Sequence, residues 1–384
     1  MKEAPIPFGR PYVTDEDRAA VLEVLKGDVL AHGPQGKSFE SEFAAFLGGG
    51  HCLAVSSGMA ALHLAYLEMG VGPGDEVIVP ALTHTATAHA VEMVGARPVF
   101  ADCLPASGNM DVSTIEPLVT PRTKAIGLVH FIGFPCDLGP ILALAARRGL
   151  KVVEDCAIAL GTRYDGTHVG LLGDAGAFSF YPVKHITTGE GGMFVTRHPE
   201  VARRVHHWRA FGVDRSFDER TVPGLYEITT LGLNYRMSDI NASLGRVQLR
   251  HLPGLIDLRR RNDARLRERL RGAAGVRVLD GSGPRVEHSP YCLSVVLEGA
   301  LAPRRNAVLL RMKERGVGTS VYYPHPLPRA AYYQKKYGTS AASVPAATEI
   351  SDCSVALPVG PHLTEADVDR VAREFIETLN EVKS

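Results

Sequence analysis

The sequence predicts an α/β protein built on a mainly parallel sheet, and three observations carry that prediction. Short apolar runs alternate along the middle of the chain with segments of helical periodicity. The runs are almost wholly apolar, as in strands covered by helices on both faces. The chain is 384 residues long, more than one core usually serves, so one large and one smaller domain are expected.

Taken in order, Thr14 to Asp17 is a T-x-x-D capping pattern, and Ala20, Val21, Val24 and Leu25 follow it at helical spacing. Leu53-Ala54-Val55 is the first apolar run, and Ala60 to Met69 the helix after it. Val77-Ile78-Val79 leads to a helix over Thr87 to Val94, and Val99-Phe100-Ala101 to a strand at Ala125 to Val129. A helix over Ile141 to Arg148 precedes Val152-Val153, and strands at Ala177 to Phe180 and Met193 to Val195 complete the alternation. Such a sheet presents its chemistry just beyond the carboxyl ends of its strands. From about residue 246 the texture changes. Gln248 to Leu270 is a long, Arg-rich amphipathic pattern, Leu293 to Leu297 is a strand candidate, and Thr364 to Asp367 caps a last helix. The boundary is placed at residue 250, giving a large domain over 1–250 with its N-terminal segment and a small C-terminal domain over 251–384.

Composition excludes several classes of function. Lys plus Arg and Asp plus Glu are 42 each, a formal charge of zero that argues against nucleic-acid binding and against a polybasic membrane anchor. Apolar residues at 45% and charged residues at 22% exclude wholesale disorder. No run of eighteen apolar residues predicts a membrane span, and the first residues lack the apolar core of a secretory signal, so a cytoplasmic location is expected. Cys52, Cys103, Cys136, Cys156, Cys292 and Cys353 include no C-x-x-C pair and read as reduced, buried small hydrophobes.

Four segments fall where strands should end. Ser56-Ser57-Gly58 follows the first strand, and a glycine opening a helix there leaves N–H groups for a phosphate. Taken alone, the same residues read more readily as an ordinary serine cap. The acidic pair Glu154-Asp155 ends a buried strand, placed to hold a ring nitrogen protonated, to bind a metal, or to cap the next helix. Lys184 lies between the apolar Phe178-Ser179-Phe180 and the turn Gly189-Glu-Gly-Gly192, either a desolvated amine fit for Schiff-base chemistry or a surface lysine. Leu231 to Ser238 mixes polar groups into apolar context, with a helix cap at Ser238 as the plain alternative. Together, a phosphate cup, a strand-end aspartate and a lysine 29 residues after it are the parts that pyridoxal 5′-phosphate (PLP) needs.

Other patterns carry less. His84 and His89 are five apart, off the spacing that places two ligands on one helix face, so no metal site is expected. His206-His207-Trp208-Arg209 reads as a surface or interface helix. Gly189 to Gly192 precedes a strand and so is not a dinucleotide fingerprint.

In order along nearly the whole chain, from Pro7-Phe8-Gly9-Arg10-Pro11 to Leu357-Pro358, stand Ala54-Val-Ser-Ser-Gly58, Gly74-Asp-Glu-Val-Ile-Val-Pro80, Glu154-Asp155, Phe178-Ser179-Phe180, Lys184, Gly189 to Gly192 and Gly232-Leu-Asn-Tyr-Arg-Met237. In these blocks the sequence resembles the DegT/DnrJ/StrS family of PLP-dependent aminotransferases. The resemblance implies PLP fold type I, the aspartate-aminotransferase-like α/β fold. It also implies a ping-pong cycle between PLP and its amine form (PMP) through a Lys184 aldimine. The amino group would come from glutamate or glutamine and go to a ketone, chiefly on a nucleotide-linked keto-deoxysugar.

By the same resemblance Lys184 would form the aldimine and carry the proton, and Asp155 would pair with the pyridine nitrogen. Gly58, Met59 and Ala60, with the Ser179 hydroxyl, would hold the phosphate. Asn234 would reach it from the other subunit of a homodimer with shared active sites. His84 would lie flat on the ring, a weaker surface than a larger aromatic, or else be a core histidine bonded to backbone. Three positions depart from the family pattern: Met59 for threonine, Ile158 for glutamine, and Pro328 for histidine with His325 close by. Family members that use PMP to dehydrate sugars have histidine in place of the lysine, so Lys184 argues against that chemistry. A cyclitol or other non-sugar ketone as substrate, and a non-catalytic regulatory protein on this fold, are the remaining alternatives.

Overall fold

A computed structural model describes residues 4–214, 222 and 224–383. In chain order the elements are helices α1 (Asp15–Leu25) and α2 (Pro34–Leu47), strand β1 (His51–Val55), α3 (Gly58–Glu68), β2 (Glu76–Pro80), α4 (Thr85–Met93) and β3 (Arg97–Ala101). Then come α5 (Val112–Ile115), β4 (Thr123–Val129), α6 (Leu138–Arg148), β5 (Lys151–Asp155), β6 (Arg163–Tyr164), β7 (Thr167–His168), β8 (Ala175–Ser179), β9 (Gly192–Thr196) and α7 (Pro199–Trp208). The rest are α8 (Asp239–Arg269), β10 (Val276–Val278), β11 (Val286–Glu287), β12 (Leu293–Leu297), α9 (Arg305–Glu314), α10 (Ala331–Tyr337), α11 (Pro345–Cys353), β13 (Ser354–Leu357) and α12 (Glu365–Lys383).

The large sheet has the order β1-β9-β8-β5-β4-β2-β3. From β8 to β3 every pairing is parallel, as expected, but β9 runs antiparallel to both β8 and β1. Successive residues of a strand face opposite sides, and the core divides accordingly. Val55, Val77, Val79, Val153, Ala177 and Phe194 pack on α3 and α4. Their neighbours Ala54, Phe178, Met193 and Val195 pack on α2 and α8, and Ile78, Ile126 and Val152 on α6. Both faces are dry, which is why the strands read as unbroken apolar runs.

The two capping patterns form as the sequence predicts: Thr14 with Asp17 and Thr364 with Asp367. The long helix does not begin at Gln248. Ser238 caps it, its Oγ accepting from the Asn241 amide at 3.2 Å, and α8 continues through Pro253. Residue 250, the expected boundary, falls inside this helix. Leu249, Leu252 and Ile256 belong to the core of the large sheet, whereas Leu266 and Leu270 join the antiparallel sheet β10-β12-β13 with α9 and α12. A third small sheet, β11-β6-β7, ties residues 163–168 to 286–287. All six cysteines are free thiols; Cys353 is only half-buried, contrary to expectation. Among the described residues no helix is long and apolar enough to cross a membrane.

Candidate active site

The first strand leads straight into a helix start. Ser57 is extended (φ −164°) and caps α3, its Oγ accepting from the Ala60 amide at 3.1 Å. The cap engages that amide, the third of the three residues expected at a phosphate. Gly58 and Met59, at the first two helical positions, have amides with no acceptor inside the helix. Glycine is required at 58 by close approach: a Cβ there would lie 2.9 Å from the Ser179 Cβ and 3.3 Å from the Phe178 carbonyl oxygen. The same crowding recurs at Gly192, where a Cβ would meet the Ser57 carbonyl at 2.5 Å. These contacts bring the end of β8 against the positive end of α3. The Ser179 hydroxyl, half-exposed there, makes no hydrogen bond among the described residues.

Asp155 ends β5 and is 5% exposed. Its Oδ2 accepts from Thr87 Oγ1 at 2.8 Å and its Oδ1 from the Ala157 amide at 3.0 Å. The second of these is the cap that the sequence also allowed. The preceding Glu154 is fully buried and holds a nest of donors: the amides of Gly170, Leu172 and Gly173 at 2.6–2.8 Å and His130 Nε2 at 3.0 Å. Since His130 Nδ1 accepts from the Cys136 amide, Nε2 carries the imidazole proton toward Glu154. Burial works to raise the Glu154 carboxyl, but the hydrogen bonds to His130 and the amides outweigh it, and the group lies below its ordinary range. His130, Glu154 and Cys156 bring metal-ligating atoms within 4.8 Å of one another, yet the Glu154 oxygens are already saturated with donors. The Cys156 thiol, fully buried, is pushed well up by burial and then by Glu154 and Asp155.

Lys184 follows β8 in a loop held by its own amide to the Tyr181 carbonyl at 2.9 Å and by the Thr188 amide to Phe180 at 3.0 Å. Its Nζ lies 5.6 Å from the centroid of the Tyr291 ring, within range of a cation–π contact. Burial pushes the ammonium down to about 8, with Asp155 opposing the shift. His84 caps α4 through Nδ1, which accepts from the Ala86 amide at 3.2 Å. It is exposed rather than a core residue. Its ring meets Tyr323 edge-on with centroids 5.9 Å apart. Desolvation and then Lys184 lower its imidazole, while Asp155 acts the other way, so all three candidates share one neighbourhood.

Tyr322 meets Tyr291 and Tyr323 edge-on, its hydroxyl 3.0 Å from that of Tyr291. Burial raises the phenols of Tyr291, Tyr322 and Tyr323. Sequence reasoning missed these three and Thr87; the Thr83/Thr87 spacing at the end of β2 and the Tyr-Tyr pair were the available signals. Asn234 lies apart. It is exposed on a segment fastened by the Leu233 and Tyr235 amides to Trp208 and Arg209, and its side chain touches none of the other candidates among the described residues. Ile158 is buried in the core and Pro328 likewise, while His325 is exposed and bonded to Arg329. A cleft of about 590 Å³ lies apart from these residues, lined by residues such as His32, Glu40, Arg209, Phe211 and Arg236. Arg209, at the end of the helix read as a surface or interface one, is buried against Glu40 and the Ala54 carbonyl.

The donor set fits PLP. Unengaged amides at Gly58 and Met59 with the Ser179 hydroxyl suit its phosphate, a buried carboxylate suits its pyridinium, and a lysine with a lowered ammonium suits its aldehyde. The family profile of DegT/DnrJ/EryC1/StrS aminotransferases matches residues 11–376. The chain is 37% identical over 371 residues, 95% of each chain, to the spore coat polysaccharide biosynthesis protein SpsC of Bacillus subtilis. Among solved structures it resembles the aminotransferase TlmJ of Streptoalloteichus hindustanus (34% identity, TM-score 0.91, 99% of this chain and 100% of that one). It also resembles Spr1654 of Streptococcus pneumoniae in its PMP form (29%, TM-score 0.93, 98% and 100%), which has been solved with PLP as well.

Proposed function

The chain belongs to the DegT/DnrJ/EryC1/StrS aminotransferase family and is a PLP-dependent aminotransferase, and from that premise we propose that it moves an amino group from glutamate or glutamine to a ketone on a nucleotide-linked deoxysugar. The observation that carries the reading is the convergence of Lys184, with its lowered ammonium, and the Thr87-braced Asp155 at adjoining strand ends. The sugar half rests on SpsC, a polysaccharide biosynthesis protein.

When bound, PLP supplies an electrophilic carbon and a ring that absorbs the electron pair released as a substrate C–H bond breaks. The chain's own residues do the rest. Lys184, shifted to about 8, is neutral in about a tenth of molecules at pH 7, against well under a thousandth for an ordinary lysine. As a neutral amine Lys184 would hold the cofactor's aldehyde and, when free, would take up and return the proton at the substrate carbon. Asp155 keeps a facing ring N–H protonated, its own direction fixed by Thr87 and the Ala157 amide. Gly58, Met59 and Ser179 would hold the phosphate, and His84, which meets Tyr323 edge-on, would flank the ring. The Tyr291, Tyr322 and Tyr323 wall excludes water and offers flat apolar surface to a sugar ring.

Asn234 acts from a second copy of the chain, in a homodimer. Exposed Leu225, Ile228 and Leu231, with Phe211 nearby, supply the apolar surface such an interface needs. The enzyme acts in the cytoplasm. The test is to load the protein with PMP and add nucleotide-linked keto sugars and cyclitol ketones separately. Return of the PLP band with a keto sugar supports the reading; return with cyclitol ketones alone overturns its sugar half. Light scattering that finds a monomer at micromolar concentration overturns the shared site.

A further inference from the structure

His185 follows Lys184 directly and is 4% exposed. Its Nε2 stands 3.3 Å from the Ser289 carbonyl oxygen. A carbonyl only accepts, so Nε2 carries the imidazole proton and donates it there. Nδ1 is then a buried lone pair with no donor among the described residues. Burial first, then Arg259, hold the imidazole well below its ordinary range, so the ring is neutral where the enzyme works. The reaction described above uses neither nitrogen.

A tie of this kind acts only if its far end is fixed, and this one is. The Ser289 amide donates to the Gly133 carbonyl at 3.3 Å and to Thr162 Oγ1 at 3.2 Å. The Tyr291 amide donates to the Ile132 carbonyl at 3.1 Å, and Arg259 on α8 donates from Nη1 to the Tyr291 carbonyl at 3.1 Å. Residues 289–291 are thus pinned to α8 and to the chain just beyond β4. They carry the Tyr291 ring, whose centroid lies 5.6 Å from Lys184 Nζ and 6.0 Å from that of the His185 ring. Much of the bonding of the lysine loop, by contrast, is to itself. Thr187 Oγ1 donates to the Phe180 carbonyl at 3.2 Å and accepts from the Gly189 amide at 2.9 Å. Outward, the Thr187 amide reaches Gln248 Oε1 at 3.3 Å, three residues past Lys184; the bond from His185 is beside it.

We propose that His185 is a positioning residue, tying the lysine loop to residues 289–291 so that the Lys184 amine is held against the Tyr291 ring and away from water. This rests on the aminotransferase reading above and adds what keeps its reactive amine dry. Asp155 from β5, His84 from the head of α4 and Tyr291 are the titratable groups that face Lys184. A neutral His185 adds no charge to them, so its influence is one of placement. Without the tie the loop lifts, water reaches Nζ, and the ammonium regains the solvation that burial denies it.

The test reads the ionisation of Lys184 in the apoenzyme. Acetic anhydride acetylates neutral amines, and the rate at which the Lys184 peptide gains an acetyl group is followed by mass from about pH 6 to pH 10. The midpoint of that curve reports the amine whatever its accessibility. Wild type should turn over at about 8. His185→Phe keeps a flat ring without the donor, and should raise the midpoint by about one pH unit or more. His185→Gln places an amide N–H near the position of Nε2 and should bring the midpoint back. If His185→Phe fails to fold, His185→Asn, too short to reach the carbonyl, takes its place with the same outcomes. A folded variant with a lowered thermal midpoint and an unmoved pH midpoint overturns the proposal, because the histidine would then only fill space. A raised midpoint that His185→Gln leaves raised overturns it too, as does a wild-type midpoint near 10, the ordinary lysine value. Wild-type protein that captures no PLP removes the underlying reading instead, an outcome distinct because the acetylation curve involves no cofactor.

Discussion

Thr87 Oγ1 donates to Asp155 Oδ2 at 2.8 Å, and Thr83 Oγ1 stands 2.7 Å behind Thr87. With the Thr87 proton spent on the carboxylate, Thr83 must be the donor in the second bond. The result is a directed chain from the start of α4 to the end of β5. Thr87→Val keeps the shape and removes both bonds, leaving a buried carboxylate short of one donor. The expected cost is about 1–3 kcal/mol of stability, read as a lowered thermal midpoint. A kcat lowered about tenfold should accompany it. Thr87→Ser restores the hydroxyl and should recover most of both.

Lys184 gives the sharpest chemical prediction. Borohydride added to the loaded wild-type protein should fix the cofactor covalently at Lys184, visible as a mass increment on the peptide that contains it. Lys184→Ala should show no increment, bind the cofactor reversibly, and lose at least about a hundredfold in kcat. A mass increment that persists on another peptide would move the reactive amine elsewhere.

The lowered ammonium of Lys184 sets a pH dependence. The neutral amine is the reactive form, so the rate at which the apoenzyme captures PLP should rise with pH and level off above about 8, more than two units before an ordinary lysine would. Asp155 opposes the shift, so Asp155→Asn should move the same curve to lower pH. Stopped-flow traces of the visible band across pH 6 to 10, a range of about four units around the turning point, decide it.

What the sequence made legible was local. Lys184 and Asp155 stand in contiguous segments whose apolar strands and glycine turns mark the sheet's carboxyl edge. Both T-x-x-D caps are satisfied within one helical turn, so neighbours alone decide them. Thr87, Tyr291 and Arg259 were hidden because their partners stand 68, 107 and 32 residues away, and a single sequence carries no period that long. The start of α8 was legible only as a possible cap at Ser238, because Ser243 and Gly245 interrupt the apolar stripe, and the first turns pack on α2. The Ala60 amide illustrates a third case, in which the cap and the phosphate cup compete for one donor and the cap holds it.

Gly58→Ala tests the cup itself. The added methyl would stand 2.9 Å from the Ser179 Cβ and 3.3 Å from a backbone oxygen, so α3 and β8 must part. A loss of about 1–3 kcal/mol is expected, together with PLP affinity weakened by about tenfold or more, because the amides and the Ser179 hydroxyl no longer converge. Fluorescence titration of the apoenzyme measures the affinity and thermal melting the stability. Unchanged affinity in a folded variant would mean that the phosphate sits elsewhere.

Glu154 carries the last prediction, and it concerns stability. Its buried carboxylate accepts from the amides of Gly170, Leu172 and Gly173 and from His130. Glu154→Gln would turn an NH₂ toward amides that need an acceptor. The expected loss is about 2–4 kcal/mol, and the chain that fixes Asp155 one residue on would loosen with it. The pH sign follows from the shift. The folded-state value lies below the ordinary 4.5, so the contribution is complete above about 4.5 and is lost as pH falls through the lower folded value. Wild-type unfolding midpoints in urea should therefore fall steeply below pH 4.5, and the Glu154→Gln variant should show a shallower fall from a lower plateau. Parallel slopes for the two proteins would show that the acid sensitivity belongs to other carboxylates.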